Sequence, residues 1–343
     1  MSTRIRPRDT NYNSSIRGFS SACRVQARQL LNYTFRVIWT PGRLIYYGIF
    51  EAVRKSARPT RLSVPVISVG NLTMGGTGKT PLVIHIARST SGAAVLSRGY
   101  GGKGRGTREV FPDSDPRDVG DEPVLIRRKA GCPVFVGKDR AESGRIAAER
   151  GARAIILDDG FQYWGIEKDI EILVFSAREL RRGAHLLPWG RWREPLSAAK
   201  RADIAIINFK TERIPAALPE LGVKTAAMRY RPEISLIGER VFGFCGLGDN
   251  ESFRETLLAA GADVAGFVKF PDHHPYSRGE VERIIGKASQ LNATPITSSK
   301  DMIRIPPDLR SEIKELGIVV ELCPADALSF IHDQLAFGDP LPE

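Results

Sequence analysis

The sequence predicts an α/β protein. A three-layer sheet domain spans residues 61–230, a smaller α/β unit spans 231–343, and an amphipathic helical region precedes both. Three observations carry this reading. Short apolar runs rich in β-branched residues alternate with stretches of helical spacing, the pattern of strand–helix–strand units. The first such run, from Val64, breaks into a glycine loop and then a Lys-Thr pair that opens a helix. The charge is also concentrated ahead of that run. Residues 1–62 hold twelve Lys and Arg against Asp9 and Glu51, a net +10 of the chain's +11.

The near-neutral remainder argues against a nucleic-acid groove across the body. Cys23, Cys132, Cys245 and Cys323 are widely spaced with no C-x-x-C pair, which reads as buried thiols in a reducing compartment and no zinc site. Residues 1–22 are polar and arginine-rich and read as a flexible basic tail. They lack the apolar core of a secretory signal, while an organelle transit peptide stays open. Residues 23–60 read as helical, with aromatic-rich apolar stretches either side of a Pro41–Gly42 break. Neither stretch reaches the ~20 apolar residues that a membrane-spanning helix needs. Flanking arginines suit an anionic membrane surface, the alternative being a helical hairpin packed on the next domain.

The stretch from Val64 to Pro81, VPVISVGNLTMGGTGKTP, has the order of a phosphate cradle: strand, glycine loop, Lys-Thr, helix. Thr73, Gly75, Gly76, Thr77, Gly78, Lys79 and Thr80 would hold ATP, with Lys79 on the β/γ-phosphates and the Thr80 hydroxyl on Mg²⁺. This P-loop departs from the general pattern at Thr73, where glycine is usual. The next strand, Ala93–Ser97, runs into a glycine-rich loop carrying Arg98, Tyr100, Lys103 and Arg105, either a substrate grip or a solvated loop. Asp121 and Glu122 precede an apolar helical start, either as a helix cap or as a carboxylate pair for metal or proton. A strand at Cys132–Val136 is followed by Lys138, Asp139 and Arg140. The strand Ala154–Leu157 ends in Asp158-Asp159-Gly160-Phe161-Gln162, about eighty residues after the P-loop, where P-loop proteins present a metal-linked carboxylate. Strands at Ile170–Phe175 and Ile204–Asn208 flank LLPWGRWREP. Beyond a linker at Arg231–Pro232, runs at Val241, Val264, Pro295 and Gly317 build the smaller unit.

Taken in order, VPVISVGNLTMGGTGKTP, LSRGYGG, VGDEP, VGKDR, ILDDGFQ, LLPWGRWREP, FPDHHPY and the SKD of Ser299–Asp301 resemble the tetraacyldisaccharide 4′-kinase family of lipid A synthesis in Gram-negative envelopes. The resemblance runs from about Trp39 to Asp301 and accounts for Thr73. It implies transfer of the ATP γ-phosphate to the 4′-hydroxyl of a lipid A disaccharide 1-phosphate precursor, by a peripheral protein on the cytoplasmic face of the inner membrane. It implies Asp121 as proton acceptor with His273 orienting it. Mg²⁺ would be completed by Glu122 with Asp158 or Asp159. The family's positions near the acceptor match Arg98, Tyr100, Arg140, Gln162, Arg193 and Glu194. Three places depart from the family: Tyr163 stands where histidine is common, Gly246-Leu247-Gly248-Asp249-Asn250 replaces a GIA-x-P turn, and the chain begins some twenty residues early. The rival reading is a membrane-associated P-loop switch ATPase or GTPase. No feature points to a protein partner.

Overall fold

The computed structural model describes residues 48, 50–187 and 190–336. The tail at 1–22, most of the 23–60 region and Trp189 lie outside them. The chain forms two compact units, Met1–Ser56 and Ala57–Glu343. In the first, the described residues are helical, and Glu51 and Arg54 pair at 2.6 Å. No helix among the described residues is long and apolar enough to cross a membrane.

In the second unit the described strands are β1 (Val66–Gly70), β2 (Ala93–Ser97), β3 (Arg108–Val110), β4 (Val134–Val136), β5 (Ala154–Asp158), β6 (Ile170–Ser176), β7 (Ile204–Lys210), β8 (Lys224–Pro232), β9 (Arg240–Cys245), β10 (Asp263–Lys269), β11 (Thr294–Ser298), β12 (Lys314–Leu316) and β13 (Ile318–Cys323). They form a nine-stranded sheet in the order β13-β8-β7-β6-β1-β5-β2-β4-β3 and a four-stranded sheet in the order β10-β9-β11-β12. The large sheet is parallel except at its edges, where β13 and β3 run antiparallel to their neighbours.

Its central strands are apolar runs because both faces are covered. Ile67, Val69, Ile156 and Ile172 face one layer, packed with Leu82, Val83 and Ile86 of the helix Lys79–Ser89. Val66, Ile155 and Leu157 face the other, against Ala141 and Ala147 of the helix Arg140–Glu149. Farther along that second face, Leu173, Phe175 and Ile207 pack on Phe161 and Trp192. The result is the three-layer P-loop-type arrangement.

Register places the site. β1 lies between β5 and β6, with Val69 level with Asp158 and Gly70 level with Leu173. The glycine loop and the acidic pair therefore leave the sheet at one edge, beyond the strand carboxyl ends, where open α/β sheets bind ligands.

The sheets do not divide where the sequence pattern does. Arg231 and Pro232, expected as a linker, end β8, where they pair with Val319 and Ile318. The run from Gly317, expected in the smaller unit, returns to the large sheet as β13. An apolar alternation identifies a strand but carries no information about its partner.

Gly70 is glycine because β1 and the turn after β5 almost touch. A Cβ there would strike the Cβ of Phe161 and lie 2.7 Å from its backbone nitrogen. Gly70→Ala is expected to destabilise the fold by about 1–3 kcal/mol, as overpacking does. Urea denaturation checks this, and an unchanged midpoint would remove the close approach as a constraint.

Candidate active site

The P-loop is shaped by side chains beneath it. Asn71, fully buried, donates from Nδ2 to the Thr77 hydroxyl at 3.1 Å. Asn208, at the end of β7, donates to the Thr77 carbonyl at 2.9 Å and to the Tyr230 hydroxyl at 2.7 Å. Gly78 (φ 99°) opens the helix Lys79–Ser89 without a side-chain cap, so its first-turn N–H groups keep no side-chain partner. A side chain at Gly78 would collide with Asn208 and Tyr230. The neighbouring segment is tied on by Met74 N–H to the Arg191 carbonyl (2.6 Å) and Arg193 N–H to the Leu72 carbonyl (2.7 Å). Those two bonds bring the WREP segment beside the P-loop.

Asp158 and Asp159 leave β5 into this space. Asp158 is buried; its Oδ2 accepts from the Ser97 hydroxyl at 3.0 Å, and its Oδ1 has no hydrogen-bond partner among the described residues. Burial and then the nearby Glu122 charge push its carboxyl well above the usual range. Asp159 behaves oppositely. Burial opposes its ionisation, but Lys79 and Arg193 outweigh that and hold it low. Lys79 Nζ lies 3.1 Å from its Oδ1 and Arg193 lies 3.4 Å from its Oδ2. Asp159 adopts φ 53°, a left-handed conformation that few non-glycine residues take and that needs surrounding support. Arg140, itself buried, supplies some of it by donating to the Asp159 carbonyl at 3.0 Å.

The small sheet brings a second set of groups to α-helical Asp121 and Glu122, in the first turn of the helix Asp121–Ala130. His273 Nδ1 sits 2.9 Å from Asp121 Oδ2, and Arg304 Nε sits 3.8 Å from the same oxygen. Burial alone would raise the Asp121 carboxyl. The His273 hydrogen bond and the Lys300 and Arg304 charges outweigh burial and lower it. The same bond raises the His273 imidazole despite partial burial and Lys300. Lys300 Nζ lies 3.3 Å from both Glu122 Oε1 and His273 Nε2. His273 (φ 59°) is also left-handed, its N–H on the Gly246 carbonyl at 3.3 Å. Fully buried Asp301 locks this corner, accepting from Gly246 N–H (2.9 Å), the Tyr276 hydroxyl (2.8 Å) and Arg304 (2.9 Å).

Most residues singled out from sequence therefore converge. The P-loop, Lys79, Asp158, Asp159, Gln162 and Arg193 form one continuous network. Glu122, through its charge on Asp158, links that network to Asp121 and His273. Glu194 and Arg140 face inward, where Glu194 bonds to Gln162 at 3.0 Å and is nearly inaccessible. Arg98 and Tyr100 are exposed, Tyr100 by 83%. Tyr163, in the family's histidine position, accepts from the Arg140 backbone N–H at 3.0 Å and lies under its guanidinium. In the altered turn, Asp249 pairs with Lys210 at 2.6 Å and caps the helix Asn250–Ala259. Asn208 and Arg304 carry no signal that the motif reading used for the site; Asn71 lies within the P-loop stretch and Lys300 within the SKD run, but neither was singled out.

Residues 36–336 match the family described as Tetraacyldisaccharide-1-P 4'-kinase. The tetraacyldisaccharide 4'-kinase of Rhodospirillum rubrum is 36% identical over 313 residues, covering 87% of this chain and 93% of that protein. That of Rhodospirillum centenum is 36% identical over 322 residues, covering 91% and 94%. The crystal structure of LpxK from Aquifex aeolicus in complex with ATP is similar at TM-score 0.72 and 29% identity, covering 88% of this chain and 99% of that one. With the motifs, the sheet order and these likenesses agreeing, the chain belongs to the tetraacyldisaccharide-1-P 4'-kinase family.

Proposed function

We propose that this chain transfers the γ-phosphate of ATP to the 4′-hydroxyl of a tetraacylated glucosamine disaccharide 1-phosphate. Family membership supports the activity. The observation that carries the mechanism is the meeting of a P-loop lysine, an acidic strand end and the Asp121–His273 pair through Glu122. A switch ATPase or GTPase needs the first two but has no use for the third.

Phosphoryl transfer is mainly positioning and charge neutralisation. Gly75 to Thr80 would cradle the β- and γ-phosphates, and Lys79 would exchange Asp159 for phosphate oxygens. The sugar oxygen forms a bond to the γ-phosphorus as the β–γ bridging bond breaks. ADP leaves with that electron pair, and the hydroxyl proton passes to Asp121. A carboxylate held below its usual range is a weak base. It therefore orients the hydroxyl early and takes the proton late, as suits a loose transition state. His273 holds it in place. Arg193 and Gln162, with Arg98 and Tyr100 on the exposed loop, would meet the acceptor's polar head.

The orphaned, buried Asp158 Oδ1 fits a cation. Among the described residues no three His, Cys, Asp or Glu side chains form a closed metal cage. That suits Mg²⁺, which takes one or two carboxylates and completes its shell with phosphate and water. Thr80, Asp158 and Glu122, with Asp159 nearby, would hold it, and it would neutralise triphosphate charge.

The +10 of residues 1–62 supports a peripheral position on an anionic bilayer, at the cytoplasmic face of the inner membrane. The four-stranded sheet, residues 240–316, would act as a second lobe bearing His273.

With γ-labelled ATP and the lipid precursor, label is expected in the lipid phase; release of free phosphate alone would favour the switch reading. Lys79→Ala is expected to abolish turnover. Asp121→Ala should lower kcat by roughly 10²–10⁴ with ATP binding kept, the range for lost general-base help; near-normal kcat would remove Asp121 from that role. Deleting residues 1–56 should weaken liposome binding, and unchanged binding would defeat the interfacial role.

A further inference from the structure

Behind Arg193 lies a chain of part-buried contacts that ends on a residue outside every motif. Arg193 donates from a terminal nitrogen to Gln162 Oε1 at 2.9 Å. Gln162 Nε2 donates to the Asn71 carbonyl and to Glu194 Oε1, both at 3.0 Å. Glu194 Oε2 is 2.7 Å from the guanidinium of Arg201, the last residue of the 3-10 turn Leu196–Arg201. The Arg201 guanidinium lies over the rings of Phe161 (4.4 Å) and Trp164 (5.0 Å).

An amide side chain has a donor end and an acceptor end, and nothing intrinsic decides which way round it sits. Here the decision is made by the neighbours. Two acceptors, the Asn71 carbonyl and a Glu194 carboxyl oxygen, claim the NH₂ end, leaving the carbonyl for Arg193. Glu194 is only 2% exposed, and a carboxyl group so buried needs a close polar partner for its second oxygen. Arg201 is that partner. Its guanidinium also sits over Phe161 and Trp164, rings that Lys168 approaches as well, at 6.0 and 5.2 Å.

We infer that Arg201 is a positioning residue for phosphoryl transfer, setting the Gln162 amide through Glu194 and thereby aiming the Arg193 guanidinium beside Asp159. Arg201 reaches Arg193 by way of Glu194 and Gln162, so its effect on Asp159 travels through that amide. The turn after β5 is also held by Lys168, which donates to the Phe161 carbonyl at 3.2 Å and pairs with Glu171 at 2.6 Å. Lys168 grips backbone there, whereas Arg201 acts on the Gln162 amide through Glu194.

This inference rests on the kinase reading of the same site. The test measures kcat and both KM values in the labelled-ATP assay with the lipid precursor. Arg201→Met is expected to lower kcat about tenfold or more with KM for ATP within about threefold, and Arg201→Lys to recover part of the loss, a split typical of lost transition-state positioning. In an Arg193→Ala background, Arg201→Met should cost less than about twofold more, because residues acting as one unit are non-additive. A full multiplicative loss there, or wild-type kcat in Arg201→Met, would overturn the inference. Should Arg201→Met fail to fold, the comparison is Glu194→Gln with and without Arg201→Met, where neither variant carries the Glu194 carboxyl group. Equal turnover supports the inference and a further tenfold loss overturns it. Absence of lipid label in every chain, wild type included, would instead sink the kinase reading.

Discussion

Parallel pairing of β1 with β5 is the constraint on which the site depends. Because Val69 and Asp158 are level, the glycine loop and the acidic turn emerge side by side, and Lys79 can reach Asp159 at 3.1 Å. Anions gathered at such an edge would repel one another, and burial would add a desolvation penalty. The chain offsets this with cations at close range. Lys79 and Arg193 sit on the Asp159 carboxylate and Arg140 on its carbonyl, so Asp159 stays charged while Asp158, less well served, is driven toward its neutral form. A cation bound at Asp158, as proposed above, would complete that balance.

The second sheet contributes through a similar economy of contacts. Asp301 has no exposure, yet it gathers a backbone N–H, a tyrosine hydroxyl and Arg304. Satisfied in this way, a buried carboxylate becomes a rigid post rather than a liability. Arg304 and His273, both positioned by that corner, then converge on Asp121. Two of the residues held in left-handed backbone, Asp159 and His273, lie one on each side of this junction. Strain concentrated at such positions is tolerated where the surroundings over-determine the geometry.

The sheet was legible in the sequence wherever strands are buried on both faces. The runs at Ala93, Ala154, Ile170 and Ile204 are mostly apolar and nearly all buried, as strands covered on both faces are. β3 and β12 are three residues long and partly exposed, too short for a period, and β13 shows how an apolar run hides its partner. In the site, the acids that end β5 stand out because a run of apolar residues stops at them. The pairing of Asp121 with His273, 152 residues away, was visible only through family resemblance. Asn208, Arg201 and Arg304 are single polar residues whose importance lies in what they touch after folding, and no period or spacing marks them.

The central claim is that one sheet edge holds the P-loop and a cation-binding carboxylate around the same triphosphate. Manganese affinity in the presence of ATP, read by electron paramagnetic resonance, tests it most directly. The account predicts that Asp158→Asn or Asp159→Asn weakens Mn²⁺ binding by about tenfold or more, as loss of groups around a metal does. Unchanged Mn²⁺ affinity in both variants would contradict it.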